Sequence, residues 1–329
     1  MYEEYYGFTE KPFSLTPDPK YLFKSVSHAS AFELLQYAIR RREGFVVITG
    51  DIGTGKTTLC RALLDQIDPR TFTALVLNPF LSEEDLLRVV LQEFGVVSRE
   101  EIKRGRLAHV SKAELVETLN EFLLALQSLG AHALLIVDEA QNLPMHVLEQ
   151  IRILSNLETE KEKLLQIVLV GQSNLKDLLR RPELRQLDQR VAIRYDLKPL
   201  TGEETSAYVQ HRLSVAGGGA AVTFAPKALA RVRRYTGGIP RLINLLCDRA
   251  LLSAYSAHAT RVTPQFVDGA AESLELEGPK RTLRTWLRHR LASFAAGMTL
   301  SAVLGAGAAT MWHYREYAML LMQLVANRP

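Results

Sequence analysis

Eight residues of this chain, Gly50 to Thr57, have the types and the spacing of a loop that binds phosphate groups. Their sequence, GDIGTGKT, matches the pattern G-x-x-x-x-G-K-[ST] at every position. In such a loop the backbone N–H groups and the lysine bind the phosphates of a nucleoside triphosphate, and the last hydroxyl binds magnesium. We therefore predict that ATP and Mg²⁺ bind here. The predicted binding residues are Gly50, Asp51, Ile52, Gly53, Thr54, Gly55, Lys56, Thr57 and Thr58.

An acidic pair, Asp138 and Glu139, follows an apolar run at 133–137. An aspartate at the end of a strand can hold Mg²⁺, and an adjacent glutamate can polarise an attacking water. The alternative is a solvated acidic turn after a buried strand. Together with the phosphate loop, the pair favours hydrolysis of the triphosphate over its transfer to a small acceptor. We predict Thr57 and Asp138 as metal ligands, and Glu139 and Lys56 as catalytic residues.

Alternating strands and helices would position these residues. Apolar, β-branched runs predict strands at 45–49, 74–78, 133–137, 167–170 and 191–197. Helical spacing between them predicts helices at 27–42, 58–67, 82–94, 111–130 and 143–157, with 99–110 irregular. This alternation is typical of an α/β fold, a parallel sheet with helices on both faces. From 201 only helices are predicted, one that begins at 201–204 and others at about 226–235, 239–257 and 263–274, which indicates a small α-helical domain.

Composition limits the classes of protein to which this chain can belong. The 329 residues are 47% hydrophobic, which is enough for a sizeable core, and the net charge of +4 does not by itself indicate nucleic acid. Cys60 and Cys247 lie far apart without metal or redox spacing, so we predict two buried thiols of a cytosolic protein. The first 25 residues are rich in aromatic side chains and should pack against the domain; they do not resemble a signal peptide.

Four strings, GDIGTGKT, LLIVDEAQ, IVLVGQ and GGIPR, resemble the motifs of AAA+ ATPases. The N-terminal string YYGFTEKPFSLTPDPKYLF, before a helix and this loop, is similar to that of the general secretion pathway A (ExeA-type) ATPases over about residues 1 to 275. The resemblance implies a P-loop AAA+ three-layer sandwich followed by a helical lid. The expected parts are an N-terminal segment (1–26) packing on the nucleotide site, an AAA+ core (27–200) and a lid (201–276).

The resemblance also assigns roles to three further residues. Gln172 matches the sensor-1 position, and Arg241 in GGIPR matches sensor 2, where an arginine of the lid reaches the nucleotide. Arg190 lies where AAA+ proteins place the arginine finger that acts in trans on a neighbouring subunit, and Arg185 is a rival candidate. The alternative for each is an ordinary strand-end or surface residue. A finger in trans implies self-association, as a ring or another oligomer.

The C-terminal part predicts a membrane anchor. Residues 291–311 contain no charged side chain. A helix that spans a membrane needs about 20 such residues, so this stretch is long enough. Trp286 and Trp312 flank this stretch, and five basic residues precede it. We therefore expect a basic linker (277–290), a transmembrane helix (291–312) and a short extracytoplasmic tail (313–329), with the ATPase domain on the cytoplasmic side of the inner membrane. A helix buried in an oligomer interface is the alternative.

Three functions remain open at this stage. The first is a membrane-anchored ATPase that drives or regulates assembly of an envelope secretion, pilus or exopolysaccharide export system. The second is a DNA-associated AAA+ regulator similar to transposon target-selection ATPases, with basic clusters at 103–106 or 231–234. The predicted membrane helix makes a nucleic-acid partner unlikely. The third is a scaffold that binds ATP tightly. Because the chain ends about 17 residues after that helix, we expect a short form without the family's peptidoglycan-binding domain.

Overall fold

The computed structural model describes residues 2–77, 81–107, 109–160, 162–217 and 221–276. The predicted linker at 277–290, membrane helix at 291–312 and tail at 313–329 lie outside these residues. Within the ranges just given, no helix is both long and apolar enough to cross a membrane.

Five parallel strands form the central sheet. They are β1 (Phe45–Gly50), β2 (Thr71–Val76), β3 (His132–Val137), β4 (Leu165–Gly171) and β5 (Ile193–Leu197). Their order across the sheet is β2-β3-β4-β1-β5. The three inner strands are buried along almost their whole length, which is why the sequence shows them as continuous apolar runs.

Helices cover both faces of the sheet. The helices in this part of the chain are α1 (Tyr2–Tyr5), α2 (Val26–Arg41), α3 (Lys56–Leu64), α4 (Glu83–Glu93), α5 (Arg99–Lys103), α6 (Lys112–Ser128), α7 (Met145–Leu154), α8 (Leu175–Leu179) and α9 (Arg185–Asp188). Successive strand residues point to opposite faces. Val47 and Leu135 join the core beneath α4, α6 and α7, while Val46 and Leu134 join the core beneath α2 and α3. The three-layer α/β sandwich predicted from the sequence is therefore confirmed.

Two predictions in the core differ from the structure. The second strand begins at Thr71 rather than at 74, because it is an edge strand paired only with β3 and its polar residues can remain partly exposed. The stretch 99–110 was expected to be irregular but contains α5. Ser98 and Glu101 form a reciprocal capping box that starts this helix, a signal present in the sequence.

A helical lid follows the sheet. Its helices are α10 (Gly202–Val215), α11 (Pro226–Thr236), α12 (Pro240–Ser256) and α13 (Pro264–Ser273). The prediction of helices alone was incomplete, because the two-residue strands β6 (Thr223–Phe224) and β7 (Arg261–Val262) pair in parallel within the lid. Such short strands carry no periodic signal that a sequence can display.

The aromatic N-terminal segment packs onto the lid. Tyr6, Phe8 and Phe13 are buried in the same core as α10 to α13. Arg212 of α10 is also buried, and its guanidinium donates hydrogen bonds to the carbonyls of Pro12 and Ser14. This one lid side chain thus holds the backbone of the segment at two positions.

Replacing that side chain by Arg212→Met should destabilise the protein by about 2–3 kcal/mol, because the carbonyl of Pro12 loses its donor and the carbonyl of Ser14 keeps only the 3.4 Å hydrogen bond from Asn244. Urea unfolding would measure the loss. Arg249→Met, at an exposed position of α12, is the matched control and should change stability little. Equal stability of the two variants would show that Arg212 does not hold the segment.

Candidate active site

The ends of three neighbouring strands bring the predicted site residues together. In the sheet register, Thr49 of β1 pairs with Gly171 of β4, and Val137 of β3 pairs with Leu169 of β4. The phosphate loop, the acidic pair and Gln172 follow these strands directly. Because the carboxyl ends of parallel strands share one edge of a sheet, this register alone places them side by side.

The phosphate loop has the backbone shape that its glycines predict. Gly53 and Gly55 have φ angles of +80° and +100°, in the left-handed region that favours glycine. Helix α3 begins at Lys56, so its N-terminal N–H groups face the loop. The buried Lys56 ammonium donates 3.0 Å hydrogen bonds to the carbonyls of Gly50 and Asp51. Burial lowers the pKa of Lys56, and the charges of Glu139 and Asp138 oppose that shift.

Two oxygen donors meet where Mg²⁺ was predicted. The Thr57 hydroxyl donates a 2.6 Å hydrogen bond to Oδ2 of the buried Asp138. Hydroxyl and carboxylate oxygens are ligands that Mg²⁺ prefers, and this ion uses few protein ligands because it keeps several waters and binds substrate phosphates. Within the described residues there is no cluster of three or more histidine, cysteine or carboxylate ligands. The pair Thr57–Asp138 therefore fits Mg²⁺.

Glu139 is held by two amide side chains. Its φ of +52° is in the left-handed region, which is uncommon for a residue with a side chain. Its Oε2 accepts hydrogen bonds from Nε2 of Gln141 at 2.6 Å and from Nε2 of Gln172 at 3.2 Å. The structure thus brings Gln172 to Glu139. Gln141 was not singled out from the sequence, although it belongs to the string LLIVDEAQ.

The lid touches the phosphate loop through Arg241. The backbone N–H of Arg241 donates a 3.1 Å hydrogen bond to the carbonyl of Gly53. The contact is so close that a Cβ added at Gly53 would lie 2.6 Å from the Cβ of Arg241. The exposed Arg241 side chain therefore starts beside the loop, as expected of a lid arginine that reaches a nucleotide.

A second residue absent from the sequence-based predictions, His28 of α2, supports the loop from below. Its Nε2 lies 2.9 Å from the carbonyl oxygen of Thr54, and its Nδ1 lies 2.7 Å from the Ser25 hydroxyl. Burial lowers the pKa of His28, which favours the neutral ring. A neutral ring that donates from Nε2 and accepts at Nδ1 satisfies both partners. Only the folded chain reveals this contact, because a lone histidine on a helix carries no specific signal.

One pocket of about 190 Å³ joins these parts. The predicted residues that line it are Ile52, Gly53, Thr54, Gly55, Lys56, Thr57, Thr58, Glu139 and Arg241. The N-terminal segment contributes residues 14–18 and 21–23, and the lid contributes Tyr208, Arg212 and Asn244. The Tyr208 hydroxyl donates a 2.8 Å hydrogen bond to Asn244 Oδ1, so these two lid residues of the pocket wall are joined to each other. The pocket thus combines a phosphate loop with a mixed polar and aromatic wall, groups that can contact the phosphates and the base of a nucleotide.

The two finger candidates do not line this pocket. Arg190 Nη1 donates a 2.6 Å hydrogen bond to Ser155 Oγ, at the C-terminal end of α7. Arg185 is exposed at the start of α9. Neither arginine completes the site of its own chain, so either one would act on nucleotide only across a subunit contact.

Known proteins resemble most of this chain. Residues 39–179 match the model of an AAA domain family. The chain is 42% identical over 301 residues to a general secretion pathway protein A of Aeromonas hydrophila. That match covers 92% of this chain but 53% of the relative, so the chain spans about half the length of the relative.

Solved structures share the fold at low identity. The ORC2 protein of Aeropyrum pernix has a TM-score of 0.61 at 14% identity, with 80% of this chain and 72% of that one covered. Cdc6p of Pyrobaculum aerophilum has a TM-score of 0.63 at 15% identity, covering 81% and 71%. The RuvB branch migration motor of Thermotoga maritima has 0.52 at 18%, covering 77% and 70%. At these identities the likeness concerns the fold alone, and it supports the predicted α/β fold with a parallel sheet.

Proposed function

This chain carries an AAA domain and is related over most of its length to a general secretion pathway protein A, and from that premise we propose that it hydrolyses ATP to drive or regulate assembly of an envelope export machine. Such a machine would be a secretion, pilus or exopolysaccharide system. The observation that carries the enzymatic part is the meeting of Lys56, Thr57 and Glu139 in one pocket. The export role rests on the relationship and stays a proposal.

The residues divide the reaction between them. The loop N–H groups and Lys56 would bind the β- and γ-phosphates of ATP and stabilise the charge that develops on them. Mg²⁺, held by Thr57 and Asp138, would neutralise phosphate charge when bound. Glu139 would accept a proton from the attacking water, while Gln172 orients Glu139 and contacts the γ-phosphate. Arg241 would bring the lid onto the nucleotide.

The basic cluster at 231–234 gives little support to a nucleic-acid partner. Arg231, in one of the two basic clusters, donates two 2.9 Å hydrogen bonds to the carboxylate of Asp268 within the lid. An arginine already paired in this way has less charge to offer a phosphate backbone. The proposed partners are therefore other copies of this chain, export components and the inner membrane.

Replacing the general base by Glu139→Gln should reduce the rate of ATP hydrolysis by about 100-fold or more, while ATP binding is kept, because the amide cannot accept the proton of water. Phosphate release measures turnover, and a fluorescent ATP analogue measures affinity. Lys56→Ala is the contrasting variant and should lose binding as well. Unchanged turnover in the Glu139→Gln variant would contradict hydrolysis at this site.

A finger donated between subunits predicts complementation. Chains with Arg190→Ala should hydrolyse ATP at least about 10-fold more slowly than wild type, since removal of such an arginine costs 10³ or more in related enzymes. Mixing them with inactive Lys56→Ala chains should restore part of the activity, because each Arg190→Ala site can receive the intact arginine of a Lys56→Ala neighbour. The same experiment with Arg185→Ala decides between the two candidates, and absence of complementation by both would argue against a shared site.

The proposed location rests on the uncharged stretch in the sequence at 291–311. We propose that it anchors the ATPase in the inner membrane with the catalytic domain in the cytoplasm. The full chain should then remain in the membrane fraction after carbonate extraction, whereas a chain ending at Pro279 should be extracted as a soluble protein. Release of the full chain by carbonate would count against the anchor.

A further inference from the structure

Gln141 occupies a connecting position between Glu139 and the end of β4. It lies in a short 3₁₀ turn, Ala140–Asn142, directly after the acidic pair. Its amide nitrogen donates to Glu139 Oε2 at 2.6 Å, and its amide oxygen accepts from the backbone N–H of Gln172 at 2.9 Å. Both ends of the side chain are therefore engaged, one by the proposed base and the other by the strand that carries Gln172.

The Gln141 side chain is closely packed against the end of β4. A Cβ added at Gly171 would lie 2.7 Å from Oε1 of Gln141 and 2.8 Å from Cδ2 of Leu175. Because contacts this short do not occur for real Cβ atoms, only glycine lets Gln141 approach the β4 backbone here. The partners also fix the orientation of the Gln141 amide group, since its nitrogen faces a carboxylate and its oxygen faces an N–H group.

From this geometry we propose that Gln141 is a positioning residue for hydrolysis, which ties the carboxylate of Glu139 to the backbone of β4. The inference rests on the proposed function, because it assigns a role relative to Glu139 as the base. With Oε2 bound by the amides of Gln141 and Gln172, the second oxygen, Oε1, is the one left to accept a proton from water. Gln141 thus selects which oxygen of Glu139 reacts and holds it in place.

The arrangement also couples Gln172 to Glu139. Gln172 contacts Glu139 directly through its side chain and indirectly through its backbone, by way of Gln141. A displacement of Gln172 on contact with phosphate would therefore move Glu139 as well. Gln141 itself does not line the nucleotide pocket, so its replacement should affect the chemical step more than the binding of ATP.

Gln141→Met tests the role by keeping the length of the side chain and removing both hydrogen bonds. We expect kcat to fall about 10- to 100-fold, the usual cost of a misplaced catalytic group, while affinity for a fluorescent ATP analogue changes less than about 3-fold. Gln127→Met, a half-buried glutamine of α6, is the matched control and should keep wild-type kcat. Unchanged kcat in Gln141→Met would overturn the proposal.

Gln141→Glu keeps the oxygen that accepts from Gln172 N–H but places a second carboxylate beside Glu139. It should retain the thermal midpoint of unfolding more closely than Gln141→Met and still lose hydrolysis. A variant that hydrolyses ATP at the wild-type rate with this substitution would also overturn the proposal, because like charges cannot reproduce the 2.6 Å contact.

A double-mutant cycle separates positioning from a purely structural effect. If Gln141 acts through Glu139, adding Gln141→Met to Glu139→Gln should lower the residual rate less than about 2-fold. A further drop of the full 10- to 100-fold would mean that the two residues act independently, and the inference fails. If Glu139→Gln alone keeps the wild-type rate, the proposed function fails together with it. If Glu139→Gln is inactive but Gln141→Met is not, only the inference fails.

Discussion

The hydrogen-bonded register of β3, β4 and β1 is the constraint on which the site depends. Parallel pairing fixes where each strand ends, and all three end at the same edge of the sheet. This shared edge is sufficient to make neighbours of the phosphate loop, the acidic pair and Gln172. Residues that are 81 positions apart (Thr57 and Asp138) and 33 positions apart (Glu139 and Gln172) thus meet within hydrogen-bond distance because the backbone of the sheet is rigid. Side chains then add only local adjustments, such as the left-handed backbone at Glu139.

The sequence predicted those features that local chemistry determines. Gly53 and Gly55 indicate backbone in the left-handed region. The inner strands can be recognised in the sequence as continuous apolar runs, because both of their faces are buried. Other features depend on contacts that no local pattern records. His28 and Gln141 became visible as site residues only through their partners Thr54 and Gln172, which are distant from them in the sequence. For the same reason the start of the edge strand β2 was placed at 74 instead of Thr71, and the two-residue strands of the lid were missed, since neither 71–73 nor the lid strands form an apolar run.

The lid and the N-terminal segment lie outside the central sheet, yet they complete the pocket. Their packing is held by a few polar contacts over an aromatic core, with Arg212 at the centre of that network. Its guanidinium also lies 4.1 Å from the centre of the Tyr21 ring, a distance at which a cation is attracted by the ring face. Because Arg212 is itself a wall of the pocket, folding of the segment and the shape of the nucleotide site depend on the same side chain.

The N-terminal segment has a mechanical consequence as well. The carbonyl of Ser14 is bound by Arg212 of the lid, and the carbonyl of Pro17, three residues later, is bound by Arg61 of α3 in the core. A fully extended chain covers roughly 3.5 Å per residue, so these two attachment points can separate by no more than about 10 Å while both bonds persist. The segment therefore acts as a short tether that limits the travel of the lid, and a pull on the N-terminus would be transmitted to the helix that carries the phosphate loop.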